Sequence, residues 1–199
     1  MLARSHAAAP ALLLLLLLPA PPARAEEDPY SKPALYGAFG GTYVWELFDQ
    51  EVGPPSQVVK VNNTTGFDVT LGYRGSPYLA GEVGIDAMNT FNAEIGSQHD
   101  SVDFVATTFN LKGYLPAGRL QPYLLAGAGY LNVDAHSSAL TKDGNSPVMR
   151  FGCGLDAYLT DNLAVYTAWH YLLPFGDNKG LDTLAVHFGF QYMLRFEEP

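Results

Sequence analysis

Thr183-Leu184-Ala185-Val186-His187-Phe188-Gly189-Phe190-Gln191-Tyr192-Met193-Leu194-Arg195-Phe196 is the stretch on which the fold turns. Taking every second residue places Leu184, Val186, Phe188, Phe190, Tyr192, Leu194 and Phe196 on one face. Thr183, Ala185, His187, Gly189, Gln191, Met193 and Arg195 fall on the other. A strand turns half a revolution per residue, so two such lists of opposite chemistry are the two faces of one strand. One face is oily, and the other is polar, charged or glycine.

The same period recurs upstream. Residues 149–159 set Met149, Phe151, Cys153, Leu155, Ala157 and Leu159 against Arg150, Gly152, Gly154, Asp156 and Tyr158. Residues 79–88 set Leu79, Val83, Ile85 and Ala87 against Ala80, Glu82, Gly84, Asp86 and Met88. Phe67, Val69, Leu71 and Tyr73 oppose Asp68, Thr70, Gly72 and Arg74. Less regular segments at 35–46, 104–115, 122–132 and 163–172 bring the number of strands to eight, with Val102 and Phe104 blurring where the fourth begins. Segments of roughly ten residues suit strands that cross a bilayer at a tilt of about 45°.

The connections carry a separate signal. In order they are 48–63, 75–77, 90–101, 116–120, 134–147, 160–162 and 173–182, and long alternates with short. Short periplasmic turns, longer external loops and an even strand number are the pattern of outer-membrane barrels. The fold expected is therefore all-β, an eight-stranded antiparallel up-and-down transmembrane barrel.

Ahead of the strands, Arg4 precedes an apolar run from Ala7 to Leu18, and a Pro-rich stretch ends in Ala23-Arg24-Ala25. That order predicts a signal peptide over 1–25, cleaved after Ala25, and an exported chain. A short N-terminal periplasmic segment, 26–33, a barrel over 34–196 and a tail of 197–199 follow. Cleavage leaves 9 of the 11 basic residues and all 20 acidic ones, a charge of 9 minus 20, or −11. So acidic a chain disfavours nucleic acid as a partner. The lone Cys153 cannot form an internal disulfide, so packing and backbone hydrogen bonds must hold the exported protein together.

A soluble lipocalin-like barrel has the same strand number, and which face is oily separates the two. The polar rows contain Gly72, Gly84, Gly127, Gly129, Gly152, Gly154 and Gly189 beside Arg, Lys and Glu. An eight-stranded barrel has an interior that side chains just fill, so glycines beside long charged chains belong on its concave side. The oily rows then face lipid. Tyr43, Trp45, Trp169 and Tyr171 fall near one end of their strands, and Tyr73, Tyr78, Tyr114, Tyr123, Tyr158 and Tyr192 near the other. From these we expect two aromatic girdles, represented by Tyr43, Trp45, Tyr73, Tyr114, Trp169 and Tyr171. Glu82, Asp86, Lys112, Arg150, Asp156, His170 and Arg195 would then share one low-dielectric interior. Charges there must pair.

Tyr36-Gly37-Ala38-Phe39-Gly40, Pro122 to Tyr130 and Leu159-Thr160-Asp161-Asn162-Leu163 resemble the first strand, fifth strand and last periplasmic turn of the outer-membrane-protein A-like barrel family. The resemblance covers residues 34–196 and implies an interior ion-pair network that plugs the lumen. On it, Glu82, Lys112 and Arg150 with Asp156 look like the network's counterparts. It also implies that Gly189, Tyr192, Leu194 and Phe196 form the signal read by the barrel-assembly machinery, although Glu197-Glu198-Pro199 follow where the family usually ends on the aromatic. Better-known members carry a peptidoglycan-binding domain after the barrel, and this chain stops three residues past its last strand. What is implied is a role in membrane integrity and surface contact, with a narrow gated pore for small solutes as the competing reading.

Some outer-membrane barrels are lipid A-modifying enzymes. The deacylases place a base beside its nucleophile in a His-x-Ser-Asn arrangement, as acyl transfer requires. The nearest approach here is His136-Ser137-Ser138, in a predicted loop and without the Asn, while His170 and His187 face inward. The expectation is a non-enzymatic protein with no catalytic, cofactor-binding or metal-binding residues. Its partners would be outer-membrane lipid and lipopolysaccharide, the assembly machinery during biogenesis, and a host or surface ligand met through loops 48–63 and 134–147.

Overall fold

The computed structural model describes residues 28–46, 60–61, 64–95, 98–136, 144–176 and 182–195. Eight long strands, β1 (Ala34–Glu46), β3 (Thr64–Arg74), β4 (Leu79–Ile95), β5 (Gln98–Tyr114), β6 (Leu120–His136), β7 (Gly144–Tyr158), β8 (Leu163–Pro174) and β9 (Thr183–Arg195), are joined by a short β2 (Lys60–Val61). All pairings are antiparallel: the eight long strands pair in chain order, β1 closes the ring onto β9, and β2 lies on β4. Closure leaves no open edge in the wall, so its backbone groups find partners on neighbouring strands without water.

The two rows of each strand separate as the alternation demands. Phe39, Phe188 and Phe190 are each more than 60% exposed on the outside, whereas Tyr36, Arg74, Asn110, Gln121 and Asp156 are fully enclosed. A soluble barrel would show the reverse, and the lipocalin alternative is thereby excluded. Among the described residues no helix is long and apolar enough to cross a membrane. The wall crosses it with strands.

Tight turns at 75–78, 115–119 and 159–162 gather at one end with the start of β1 and the end of β9. In the second of these, Gly118 has φ 67°, in the left-handed region that a side chain disfavours. At the opposite end the strands run further than their alternation predicts. Residues 90–101 were expected as a loop, but β4 continues to Ile95 and β5 begins at Gln98. The reason is a register shift between Met88 and Phe91. An extra residue in one strand reverses the phase of everything after it, so a continuous strand reads as broken period. Similarly, 134–136 and 144–147 are strand, as is Lys60–Val61 within the expected loop 48–63. The signal peptide, the remainder of both loops, and Phe196 with the tail lie outside the described residues.

Candidate functional site: a layered lumen

The inward rows stack in three layers along the barrel axis. At the turn end Tyr36, Tyr114, Tyr123, Leu125, Tyr158 and Met193 form an apolar, tyrosine-rich cluster. At the loop end Val44, Met88, Phe104, Leu131, Val148, Leu172 and Ala185 form a second. Between them lies a belt of buried polar groups. Each strand contributes to it in sequence: on β4, for example, Ala80 belongs to the lower cluster and Met88 to the upper, with Glu82 and Asp86 between.

Glu82 and Asp68 are the two most heavily bonded carboxylates of the belt, with three partners each among the described residues. Lys112 Nζ lies 2.9 Å from Glu82 Oε2. Tyr36 donates its hydroxyl to the same oxygen at 2.8 Å, and Asn110 Nδ2 donates to Oε1 at 3.3 Å. The Lys112 ammonium also sits 4.4 Å from the Tyr123 ring centroid. Arg150 on β7 pairs with Asp86 on β4, across the lumen rather than along the wall. Asp68 accepts the Tyr166 hydroxyl at 2.5 Å and faces His187 Nδ1 at 3.2 Å, with Thr42 Oγ1 2.9 Å from the same nitrogen. Four strands thus meet at one carboxylate. Such charges stay buried because each finds an opposite charge or several hydrogen bonds, the alternative being several kcal/mol of lost solvation per ion.

Glycines make room for these side chains. A Cβ on Gly72 would stand 2.3 Å from the Tyr36 ring, and one on Gly154 2.4 Å from the Tyr123 ring. A Cβ on Gly40 would meet the Tyr166 hydroxyl at 2.4 Å, and one on Gly152 the His170 ring at 2.5 Å. Each glycine lies beneath a ring from another strand. The ring occupies the space a side chain would have filled, which is why the polar rows alternate glycine with large residues.

Several expectations need correction. Asp156, expected in the ion-pair network, forms no ion pair among the described residues, and Arg150 on its own strand is out of reach. The two share β7 and are six residues apart, about 20 Å at strand rise. Asp156 instead accepts hydrogen bonds from Tyr114 at 3.0 Å and Gln191 Nε2 at 3.3 Å. That bond removes Tyr114 from the girdle: it is buried in the lumen, as are Tyr123 and Tyr158. All three stand at girdle height, but Tyr114 shares the parity of Lys112 and Asn110, and Tyr158 that of Asp156. Parity was the signal that height obscured. His170 is buried beside His187, ring centroids 4.3 Å apart, and neither of its nitrogens has a hydrogen-bond partner among the described residues. Arg195 is half-buried at the end of its inward row and forms no ion pair among the described residues. Asp68, Arg74, Tyr36, Tyr166 and Gln121 belong to the interior and were not singled out, though Asp68, Arg74 and Gln121 stand on polar rows.

On the outside, Trp45 and Trp169 stack with centroids 5.9 Å apart and planes 5° apart, and Tyr43 meets Trp45 edge-on at 4.8 Å. Val186 lies under these rings and is buried although it is on the outward row. Tyr171 donates its hydroxyl to Asp182 at 2.9 Å. At the turn end Tyr73 and Tyr192 are half exposed on the outer face. Among the described residues no group of three or more His, Cys, Asp or Glu is arranged to hold a metal ion. His136 closes β6 opposite Ser101, while Ser137 and Ser138 lie outside the described residues.

Comparison with known proteins agrees with this architecture. A sequence model of the outer membrane protein beta-barrel domain matches residues 11–193. A comparison against curated proteins gave no match. Among solved structures, the chain is similar to the outer membrane protein OprG of Pseudomonas aeruginosa, with a TM-score of 0.62 and 18% identity over 84% of this chain and 98% of that one. It is also similar to the outer membrane protein AlkL, with a TM-score of 0.60 and 20% identity over 85% and 94%. Ail, the attachment invasion locus protein of Yersinia pestis, gives a TM-score of 0.53 and 13% identity over 81% and 97%.

Proposed function

The chain belongs to the outer membrane protein beta-barrel domain family, and from that premise we propose that it is a non-enzymatic structural and surface component of the bacterial outer membrane with a closed lumen. One observation carries the reading. The ion pairs of the belt are covered at the loop end by the close-packed layer of Val44, Met88, Phe104, Leu131, Val148 and Leu172. A hydrated path for ions would have to cross this apolar layer, whose buried polar neighbours among the described residues, Thr64, Ser146 and Thr183, are uncharged hydroxyls. The belt is then a permanent plug rather than a gate.

Contact with the outside falls to the loop end, through residues 48–63 and 134–147. These contain Asp49, Glu51, Asp134 and Asp143 in a chain whose exported part carries a charge of 9 minus 20, or −11. Ail, a structural relative, has been solved with a heparin analogue. The acidity here favours basic surfaces, or divalent ions bridging lipopolysaccharide, over a polyanion of that kind. During biogenesis, Gly189, Tyr192, Leu194 and Phe196 act as the signal for the barrel-assembly machinery, and the outward exposure of Tyr192 and Leu194 suits recognition from outside the wall.

The test is planar-bilayer recording of pure protein whose closed barrel has been verified by a heat-dependent shift in gel mobility. Silence is expected. Stable single-channel steps that change in Glu82→Ala would replace the closed-lumen reading with the narrow pore. For the surface role, excising residues 137–143 should alter binding to cells or matrix while leaving the gel shift intact, and unchanged binding would count against it. Fatty acid released from lipid A by the purified protein would overturn the non-enzymatic reading.

A further inference from the structure

The belt is covered above and below by side chains of the wall, and the lower, tyrosine-rich layer is itself capped by a segment that precedes the first strand. Asp28-Pro29-Tyr30-Ser31 precedes β1 and folds into a single 3-10 turn. Its sequence prepares it for that shape. Pro29 fixes its own φ at the start of the turn, Asp28 Oδ1 accepts from the Tyr30 amide at 3.0 Å, and the Asp28 carbonyl accepts from the Ser31 amide at 3.0 Å.

The turn sits in the mouth at the periplasmic end. Arg74 donates to the Tyr30 carbonyl at 3.2 Å, and Arg119 Nε to the Tyr30 hydroxyl at 2.9 Å. Gln121 Nε2 donates to Ser31 Oγ at 3.0 Å, while the Tyr30 ring lies 5.1 Å from that of Tyr158. Arg74 and Gln121 are fully enclosed and Ser31 is 1% exposed. A leader-to-barrel linker would keep its polar groups in water. Those of Arg74, Gln121 and Ser31 are buried and individually matched, the contact of Arg119 with the Tyr30 hydroxyl lies at the exposed rim, and the guanidinium of Arg74 is satisfied by carbonyl and amide oxygens, one of them from the turn itself.

We infer that Asp28–Ser31 is a built-in plug, seated in a site made by the donors Arg74, Arg119 and Gln121 and the ring of Tyr158, which closes the periplasmic mouth of the barrel. Without it, the tyrosine layer would face the periplasm and Arg74 would lose a partner. The inference rests on the closed lumen proposed above and adds a second, separable seal to it.

The experiment places a reporter thiol just inside the mouth. In a Cys153→Ala background, Met193→Cys is reacted with a water-soluble methanethiosulfonate in the folded, full-length exported chain. Slow labelling is expected, accelerating tenfold or more when Tyr30→Ala and Ser31→Gly are added. Equal rates with and without those changes would overturn the plug. If Met193→Cys does not fold, amide exchange in the unaltered protein decides: Ser31 should exchange at least a hundredfold slower than in an unstructured peptide, and exchange at the peptide rate would overturn the seating. The two readings fail separately. A conducting unaltered protein defeats the closed lumen, whereas equal labelling in a silent one defeats the plug alone.

Discussion

Lys112 Nζ lies 2.9 Å from Glu82 Oε2, with side chains 7% and 3% exposed, and the strands that hold them are neighbours in the wall. Removing one partner leaves the other charged in a space without water. Glu82→Ala is expected to destabilise the barrel by about 3–5 kcal/mol, read as the urea midpoint of unfolding in lipid vesicles. Glu82→Gln combined with Lys112→Met should recover much of the loss, because it strands no charge. A double variant as weak as the single one would show that the pair is not what the site depends on.

Asp86 and Asp156 make a sharper comparison, since both are buried carboxylates of the same lumen. Asp86 faces Arg150, whereas Asp156 is held by the neutral donors Tyr114 and Gln191. Asp86→Asn should therefore cost about 3 kcal/mol or more through the unpaired guanidinium. Asp156→Asn, which keeps an oxygen for the same donors, should cost about 1 kcal/mol. The order of the two midpoints in one unfolding series checks the assignment, and its reversal would mean that Arg150 serves Asp156 after all.

Gly72 offers a test by suppression. The three nearest atoms to a Cβ placed there all belong to Tyr36, at 2.3, 2.5 and 2.8 Å. Gly72→Ala must displace that ring and its bond to Glu82, an overpacking cost of about 1–3 kcal/mol. Tyr36→Val should suppress the defect of Gly72→Ala. On its own, Tyr36→Val should be destabilising, because it removes the ring and a hydrogen bond from the belt. The temperature of the gel-mobility shift, measured for the two singles and the double, reports the interaction.

The outward rows face hydrocarbon, so polarity there should be penalised by depth. Phe188→Arg lies midway along β9 on the outer face, where Phe188 is 61% exposed. Its cost should be about 2–4 kcal/mol. The same substitution at Tyr192, near the periplasmic boundary, should cost about 1 kcal/mol or less. Equal costs at the two positions would place the bilayer elsewhere on the wall.

Period two in the residues was enough to establish that this chain makes strands, how many cross the bilayer, and which row of each meets lipid. Sterics alone alternate the side chains, and the oily row from Leu184 to Leu194 can satisfy no other solvent. That inference is local, and it held. It failed where locality failed: the register shift at Met88 and Phe91 reversed the phase and made strand look like loop. Which buried charges meet is not a local matter. Arg150 reaches Asp86 because closure and strand tilt bring β7 and β4 to the same height across the lumen, and no spacing within β7 encodes that distance. Tyr114 likewise had a parity that the chain displayed, but its partner, Asp156, became visible only once the wall was rolled up around them.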